Sequence, residues 1–207
     1  MGTTKANYEV MAKALIERLM AKGFKPLGKG STRVAFVRKN LIIKIPKGIQ
    51  YFTDTFSEAY VSENSKKGIF TWIYDEIERH IKIAKTRLIY IDNIPIIVME
   101  KVIPVSREET ESARFEKAEW LTHMVNSGDG YQVGRDRKGE VKAFDFGHLY
   151  VKFRGPVQEK AAKAQIAYGE EGYSIDYRYF NDLGFKDSYG TNHEGFIEDQ
   201  MHLLKFV

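Results

Sequence analysis

The fold is decided by one stretch, Gly139-Glu140-Val141-Lys142-Ala143-Phe144-Asp145-Phe146-Gly147-His148. Apolar residues at Val141, Ala143 and Phe144 predict a short strand that ends in an Asp-Phe-Gly turn. This strand would present the carboxylate of Asp145 at its exposed end. Mg²⁺ keeps most of its water in proteins and takes one or two carboxylates plus phosphate oxygens. The stretch therefore predicts that Asp145 holds a divalent cation, the alternative being an ordinary strand-to-turn junction.

Upstream, two β-rich runs flank a short loop, Gly28-Lys29-Gly30-Ser31. Gly28 and Gly30 would let the backbone approach a triphosphate closely, and backbone amides together with the Ser31 hydroxyl could contact it. No helix start follows the glycines and there is no Gly-Lys-Ser/Thr ending, which argues against a P-loop or a dinucleotide-binding fold. Lys39-Asn40 then predicts a hairpin turn into a further strand.

That further strand carries a lysine between isoleucines, Ile43-Lys44-Ile45. Because side chains alternate along a strand, Lys44 points to the face opposite both neighbours. A lysine that points inward needs an anion, whereas a surface strand would leave it solvated. A strand, a glycine loop, a second strand and then such a lysine is the order found in protein kinases.

In these features the chain resembles the protein-kinase-like superfamily. In its small size it resembles the compact kinases that phages and prokaryotes encode. The resemblance spans about residues 24 to 147, with Arg33 in place of the third loop glycine. It implies an α+β, bilobal fold with a β-rich N-lobe and a reduced, mainly helical C-lobe. The implied divisions are an N-terminal helix (1–23), the N-lobe (24–103) and the C-lobe (104–207). The implied cofactors are ATP and Mg²⁺, with Lys44 on the α- and β-phosphates.

The resemblance also implies a carboxylate partner for Lys44 on the next helix, expected over Thr55–Lys67. Glu58 and Glu63 are both candidates and lie on different faces of that helix. We favour Glu58, because compact kinase-like proteins tend to place an aromatic residue two positions after this glutamate, as Tyr60 is here. At least one of the two glutamates is then an ordinary solvated helix residue.

Residues 87–102 predict a hairpin that turns at Asp92-Asn93. Its second strand ends in Val98-Met99-Glu100-Lys101-Val102, which resembles the kinase hinge. The resemblance implies Met99 as gatekeeper, with the Glu100 carbonyl and the Val102 amide as adenine contacts. A plain buried strand would look much the same.

The catalytic loop shows the main departure from the family. The family has an Asp, four residues and an Asn, with the metal-binding Asp thirteen positions further on. Counting back from Asp145 gives Gln132 at the Asn position, and Ser127 stands where the catalytic Asp belongs. Asp129 is the nearest carboxylate. Either Asp129 accepts the substrate hydroxyl proton and Gln132 is an amide ligand of the metal, or the chain is a pseudokinase.

Two further segments bear on the predicted C-lobe. A second stretch with the family's Asp-to-Asn spacing, Asp187 to Asn192, competes with Asp129 and Gln132 as the catalytic loop. Ser106 followed by Glu109 is a capping box that predicts a helix. At the other end of the chain, apolar spacing over residues 7–22 predicts a packing helix.

Composition sets the outer limits. The chain has 207 residues, of which 43% are hydrophobic and 29% charged, enough for one large domain or two small lobes. The absence of cysteine excludes disulfides, thiolate zinc sites and cysteine nucleophiles. A net charge of +4 fits an anionic ligand but is too small to predict nucleic-acid binding. With no signal peptide or long apolar run, we expect no membrane partner and a cytoplasmic location, in the host if the chain is phage-encoded.

The sequence thus leads to two hypotheses. In the first, a minimal kinase-like enzyme uses ATP and Mg²⁺ to phosphorylate a Ser/Thr hydroxyl of a protein substrate. In the second, a degenerate kinase fold binds a protein partner as an inhibitor or scaffold. A small-molecule kinase of the aminoglycoside-phosphotransferase type is a third possibility, which would need an acidic acceptor pocket.

Overall fold

The strand that carries Lys44 lies at the centre of an antiparallel five-stranded sheet. The computed structural model describes residues 6–74, 77–105, 132–146, 154–168 and 174–185. Its elements, in chain order, are α1 (Tyr8–Ala21), β1 (Lys25–Lys29), β2 (Arg33–Arg38), β3 (Leu41–Pro46), α2 (Phe52–Glu63), β4 (Ile69–Tyr74), β5 (Ile77–Lys82), β6 (Thr86–Ile91), β7 (Ile94–Glu100), β8 (Ile103–Pro104), β9 (Val133–Arg135), β10 (Val141–Ala143), α3 (Arg154–Gln165) and α4 (Tyr177–Asp182). The large sheet has the order β1-β2-β3-β7-β6.

Both predicted hairpin turns of the large sheet are confirmed. Lys39, in the turn between β2 and β3, has φ 52°. Asp92 and Asn93, between β6 and β7, have φ 50° and 63°. Positive φ at both central residues gives a turn whose twist matches that of the flanking strands, and Asp and Asn tolerate this conformation better than most residues. The sequence therefore determines the register of the sheet locally.

The two predicted N-terminal helices form with small differences in length. Asn7 caps α1 by accepting a hydrogen bond from the Val10 amide, and Gly23, with φ 81°, follows its end. The second helix, α2, begins at Phe52 and ends at Glu63. Its start and its end both come earlier in the chain than those of the expected Thr55–Lys67 helix. It starts early because a single 3₁₀ turn leads directly into it.

The remaining strands form two small sheets. The stretch after α2 folds as the hairpin β4–β5. The second small sheet has the order β10-β9-β8. The Ala84 amide donates a hydrogen bond of 2.8 Å to the Ala143 carbonyl, so the segment after β5 is joined to the strand that precedes Asp145.

The main core contains residues of the large sheet and of the helices α1, α2, α3 and α4. Tyr8 on α1 donates a 2.5 Å hydrogen bond to the carbonyl of Pro46, the last residue of β3. Its ring also makes edge contacts with Phe52 and Tyr168. Since Val157 of α3 and Phe180 of α4 belong to this core, helices of the predicted C-lobe contribute to the same core as the large sheet. The boundary at residue 104 stays a prediction.

The architecture is mixed, a β-rich sheet with a few helices, and is compatible with the predicted α+β class. Within the described ranges, no helix has both the length and the apolar character needed to cross a membrane. The predicted helix after Ser106, Asp129, and the segment from Asp187 to Asn192 lie outside the described residues.

Candidate active site

Lys44 and Glu58 form a buried ion pair. Strand alternation turns Ile43 and Ile45 into the main core and leaves Lys44 facing α2. The Lys44 Nζ lies 2.9 Å and 3.1 Å from the two carboxylate oxygens of Glu58. The Glu58 side chain is fully buried, whereas Glu63 is exposed at the end of the same helix. The structure thus brings together the lysine and the glutamate that the sequence selected.

Asp145 joins this pair from the other side. It follows β10 with φ 69°, a left-handed conformation that is uncommon outside glycine and costs of the order of 1 kcal/mol. Its Oδ1 lies 3.6 Å from the Lys44 Nζ, and its side chain keeps 38% exposure. Phe146, the next residue, is fully buried against Val61 of α2 and Ile83. That packing holds the turn in place and leaves the carboxylate at the edge of the site.

Arg33 is the functional candidate that sequence reasoning missed. From the first position of β2 its guanidinium donates hydrogen bonds to both Glu58 and Asp145. Burial alone would lower the pKa of Arg33, but the carboxylates of Asp145 and Glu58 outweigh it and raise the pKa above its ordinary value. We call Arg33, Lys44, Glu58 and Asp145 the ion cluster. It holds two cations and two carboxylates, so each buried charge is compensated.

Gln132 lies beside the ion cluster. Its Nε2 is 3.5 Å from Asp145 Oδ2, at the long limit of a hydrogen bond. Its Oε1 is buried and has no hydrogen-bond partner among the residues that the structure describes. An amide oxygen without a donor, next to a carboxylate, is a group that a cation or a bound donor could satisfy.

This donor set fits Mg²⁺. The ion prefers hard oxygen ligands and is usually bound through one or two carboxylates while it keeps several waters. Asp145 supplies the partly exposed carboxylate, and Gln132 supplies the unpartnered amide oxygen. The described residues contain no group of three or more His, Cys, Asp or Glu that could form a complete metal cage. Arg33 engages Asp145 Oδ1 and would compete with a cation for that oxygen.

The glycine segment, residues 28–31, is connected to the ion cluster by Arg33, which follows it at the start of β2. Gly28 lies within β1, next to a register irregularity opposite β2. The Gly30 amide donates a 2.9 Å hydrogen bond to the Arg33 carbonyl, which closes the turn, and Ser31 is exposed at its tip. Lys29 is buried, and its Nζ donates a 2.8 Å hydrogen bond to Asn181 of α4.

The predicted adenine segment lies at the end of β7 in an apolar cluster. Met99 and Val102 are both buried there. Glu100 instead directs its carboxylate to Lys142 Nζ, at 2.8 Å, and to the Lys85 amide, also at 2.8 Å. In the described part of the chain, no hydrogen bond engages the Val102 amide.

Partly buried apolar side chains complete this cluster, and the sequence did not single them out. They come from β1, β2 and the residue after β10: Leu27, Ala35 and Phe144. Leu27 and Ala35 sit on strands that also carry Gly28 and Arg33, and Phe144 directly precedes Asp145, so proximity to the site residues was the signal that could have found them. Together they form the partly buried edge of this apolar cluster.

No protein-family model matches this sequence, and a search of curated proteins returns no significant match.

Proposed function

We propose that this chain is a compact kinase-like protein with a bilobal fold that binds ATP with Mg²⁺ and transfers a phosphoryl group to a protein Ser/Thr hydroxyl. The observation that carries the proposal is the 3.6 Å distance between Lys44 Nζ and Asp145 Oδ1. These groups come from different sheets, and the sequence had selected each for a separate role in the same reaction. The strand order of the large sheet and the Lys44–Glu58 pair support the same interpretation.

Each member of the ion cluster has a task in this proposal. Glu58 holds the Lys44 ammonium in place before the nucleotide binds. The Lys44 side chain therefore loses little conformational freedom when it contacts the phosphate oxygens. The amides around Gly28 and Gly30, with the Ser31 hydroxyl, would bind further phosphate oxygens. The base would lie between the apolar surface of Leu27, Ala35 and Phe144 and the segment from Met99 to Val102, and its polar edge would meet the Glu100 carbonyl and Val102 amide.

Asp145 and Gln132 would hold the metal ion. When bound, Mg²⁺ neutralises charge on the phosphates, which is much of what phosphoryl transfer requires of a protein. Arg33 would release Asp145 when the metal arrives and remain paired with Glu58. Its guanidinium is also suited to a phosphate, since it offers several donors in one plane.

The acceptor hydroxyl needs a group that orients it, and Asp129 is the proposed residue. Positioning of this kind is worth on the order of several kcal/mol of the activation barrier.

A second candidate function is favoured by one contact. Arg33 and Lys44 together already neutralise Asp145, as they would in a degenerate site that no longer recruits a metal. In that case the chain is a pseudokinase that acts as a protein-binding inhibitor or scaffold.

The two candidates separate in a thermal-shift assay with ATP and Mg²⁺ followed by an autophosphorylation assay. The kinase proposal expects a nucleotide-induced shift that is lost in Lys44→Ala and Asp145→Ala and kept in Lys25→Ala, an exposed lysine on β1. Transfer should be lost in the same two variants. Binding without transfer supports the pseudokinase, and a wild-type protein with no nucleotide shift rules out the kinase.

A further inference from the structure

A second polar cavity lies apart from the ion cluster. It has a volume of about 460 Å³ and is bordered by the start and end of the β4–β5 hairpin, the end of β7 and the β9–β10 hairpin. None of its lining residues belongs to the ion cluster. Seven of the lining side chains are basic and three are acidic. We call this cavity the basic cleft.

The three acidic side chains of the basic cleft are already paired. Lys142 Nζ lies 2.8 Å from a carboxylate oxygen of Glu100 and 2.8 Å from one of Asp136. Lys82 Nζ lies 2.7 Å from Glu140. Hydrogen bonds from Lys142 and from backbone amides lower the pKa of Asp136 to about 2, so this carboxylate stays ionised and bound to its lysine. None of these acids is left to neutralise another cation.

Five basic side chains of the basic cleft have no carboxylate partner within the described residues: Lys67, Lys85, Lys101, Arg137 and Lys138. Their charges act on one another. Partial burial and the nearby Arg137 guanidinium lower the pKa of Lys101 below its ordinary value. Like charges that crowd around one cavity raise the free energy of the unliganded protein, and an anion inside the cavity removes this cost.

The size of the basic cleft indicates how large the anion is. Small-molecule sites commonly measure roughly 300–1,000 Å³, whereas a water molecule occupies about 30 Å³ of liquid. A single phosphate ion would leave most of the cavity filled with water and most of the five cations without a contact. Lys and Arg bind phosphate oxygens through charge-assisted hydrogen bonds, which are about twice as strong as neutral ones.

We propose that the basic cleft binds a compact polyanion that carries two or more phosphate groups. Lys101, at the end of β7, and Arg137 and Lys138, in the turn between β9 and β10, contact it from two sides. This proposal does not depend on nucleotide binding at Lys44. It assigns a ligand to basic side chains to which the kinase proposal gives no role, although the cleft borders Glu100, whose carbonyl that proposal assigns to the base.

The test uses inorganic tripolyphosphate as the probe, in EDTA without Mg²⁺, with isothermal titration calorimetry on the full chain. The cleft variant carries Arg137→Glu and Lys138→Glu, both exposed turn positions. The matched control carries Lys22→Glu and Lys25→Glu, which change the net charge equally at exposed positions outside the cleft. A Lys44→Ala variant reports on the ion cluster. Circular dichroism checks that each variant is folded. If the double variant does not fold, Lys101→Gln replaces it as the test of the basic cleft.

We expect the wild-type protein to bind tripolyphosphate in the basic cleft with one-to-one stoichiometry, and the cleft variant to lose this binding by at least tenfold in affinity. The control should retain the wild-type affinity, the cleft binding should persist in Lys44→Ala, where any separate binding at the ion cluster is removed, and orthophosphate should bind at least tenfold more weakly than tripolyphosphate. Equal losses in the cleft variant and the control would mean non-specific attraction and overturn the proposal. A loss confined to Lys44→Ala, equal affinity for orthophosphate, or no binding would overturn it as well. None of these results decides the kinase proposal, which the ATP thermal-shift assay tests independently.

Discussion

The Arg33 guanidinium donates a hydrogen bond to the Asp145 carboxylate. Arg33 begins β2 of the five-stranded sheet, and Asp145 follows β10 of a three-stranded sheet. The contact therefore forms only when the two sheets pack together, and it links the assembly of the fold to the electrostatics of the candidate site. A cation that binds Oδ1 of Asp145 would compete with this guanidinium.

Removing that competitor should strengthen metal binding. In Arg33→Gln, we expect the Mg²⁺ concentration needed for half of the ADP-induced thermal shift to fall roughly tenfold, equivalent to about 1.4 kcal/mol. The control is Arg38→Gln, an exposed residue at the other end of β2. An unchanged or higher Mg²⁺ requirement in Arg33→Gln would show that the arginine does not compete with the metal.

Among the residues of the ion cluster, Glu58 is the one whose substitution should lower the free energy of unfolding most. It is fully buried and accepts hydrogen bonds from both Lys44 and Arg33, so Glu58→Gln leaves two buried cations with one carboxylate. We expect the free energy of unfolding, measured by urea titration, to fall by about 3–5 kcal/mol. Glu63→Gln, exposed on the same helix, should change it by less than about 0.5 kcal/mol. Similar small effects in both variants would contradict the buried pair.

The turn at Asp92-Asn93 offers a stabilising substitution. Asn93 has φ 63°, a conformation that glycine adopts without a steric cost, and Asn-Gly is a preferred pair in such hairpins. Asn93→Gly should raise the free energy of unfolding by roughly 0.5 kcal/mol, and Asn93→Ala should lower it by about 1 kcal/mol. Asp92 is left unchanged because it pairs with Arg18. Urea unfolding of both variants decides the matter, and the reverse order of stabilities would refute the turn geometry.

Asp136 should contribute to stability in acid. Its pKa is about 2 in the folded chain, chiefly because Lys142 donates a hydrogen bond to it, whereas an unfolded Asp titrates near about 3.9. A depressed pKa gives stability that is complete above the unfolded value and is lost as the pH falls toward the folded one. Between pH 5.5 and 3, the wild-type protein should therefore lose more stability than Asp136→Asn. Asp182→Asn, at an exposed position of α4, should follow the wild type, and parallel curves for all three proteins would exclude the effect.

The sequence revealed the parts of the fold that depend on local patterns. Alternating apolar residues and the turn residues at Lys39-Asn40 and Asp92-Asn93 determine the hairpins, and a lysine between two isoleucines has only one face to which it can point. The expectation that Lys44 lies near Asp145 came from the order of the kinase-like motifs along the chain, and the spacing of the two residues alone would not have predicted it.

Contacts between distant elements could not be read in the same way. Arg33 sits beside a glycine turn, and its local sequence resembles that of any solvated loop arginine. Its burial depends on where α2 and the residues after β10 come to lie. The contribution of α3 and α4 to the main core was missed for the same reason, because an apolar stripe does not specify its partner.

The hydrogen bond from Tyr8 to the Pro46 carbonyl has a practical consequence for anyone who shortens the protein. A version that starts at Phe24 would keep every motif discussed above, yet the end of the lysine strand would lose its donor. The rings of Phe52 and Tyr168 would also lose the aromatic neighbour that covers them. Such a truncated protein should aggregate during purification, and its failure to bind nucleotide would then say nothing about the site itself.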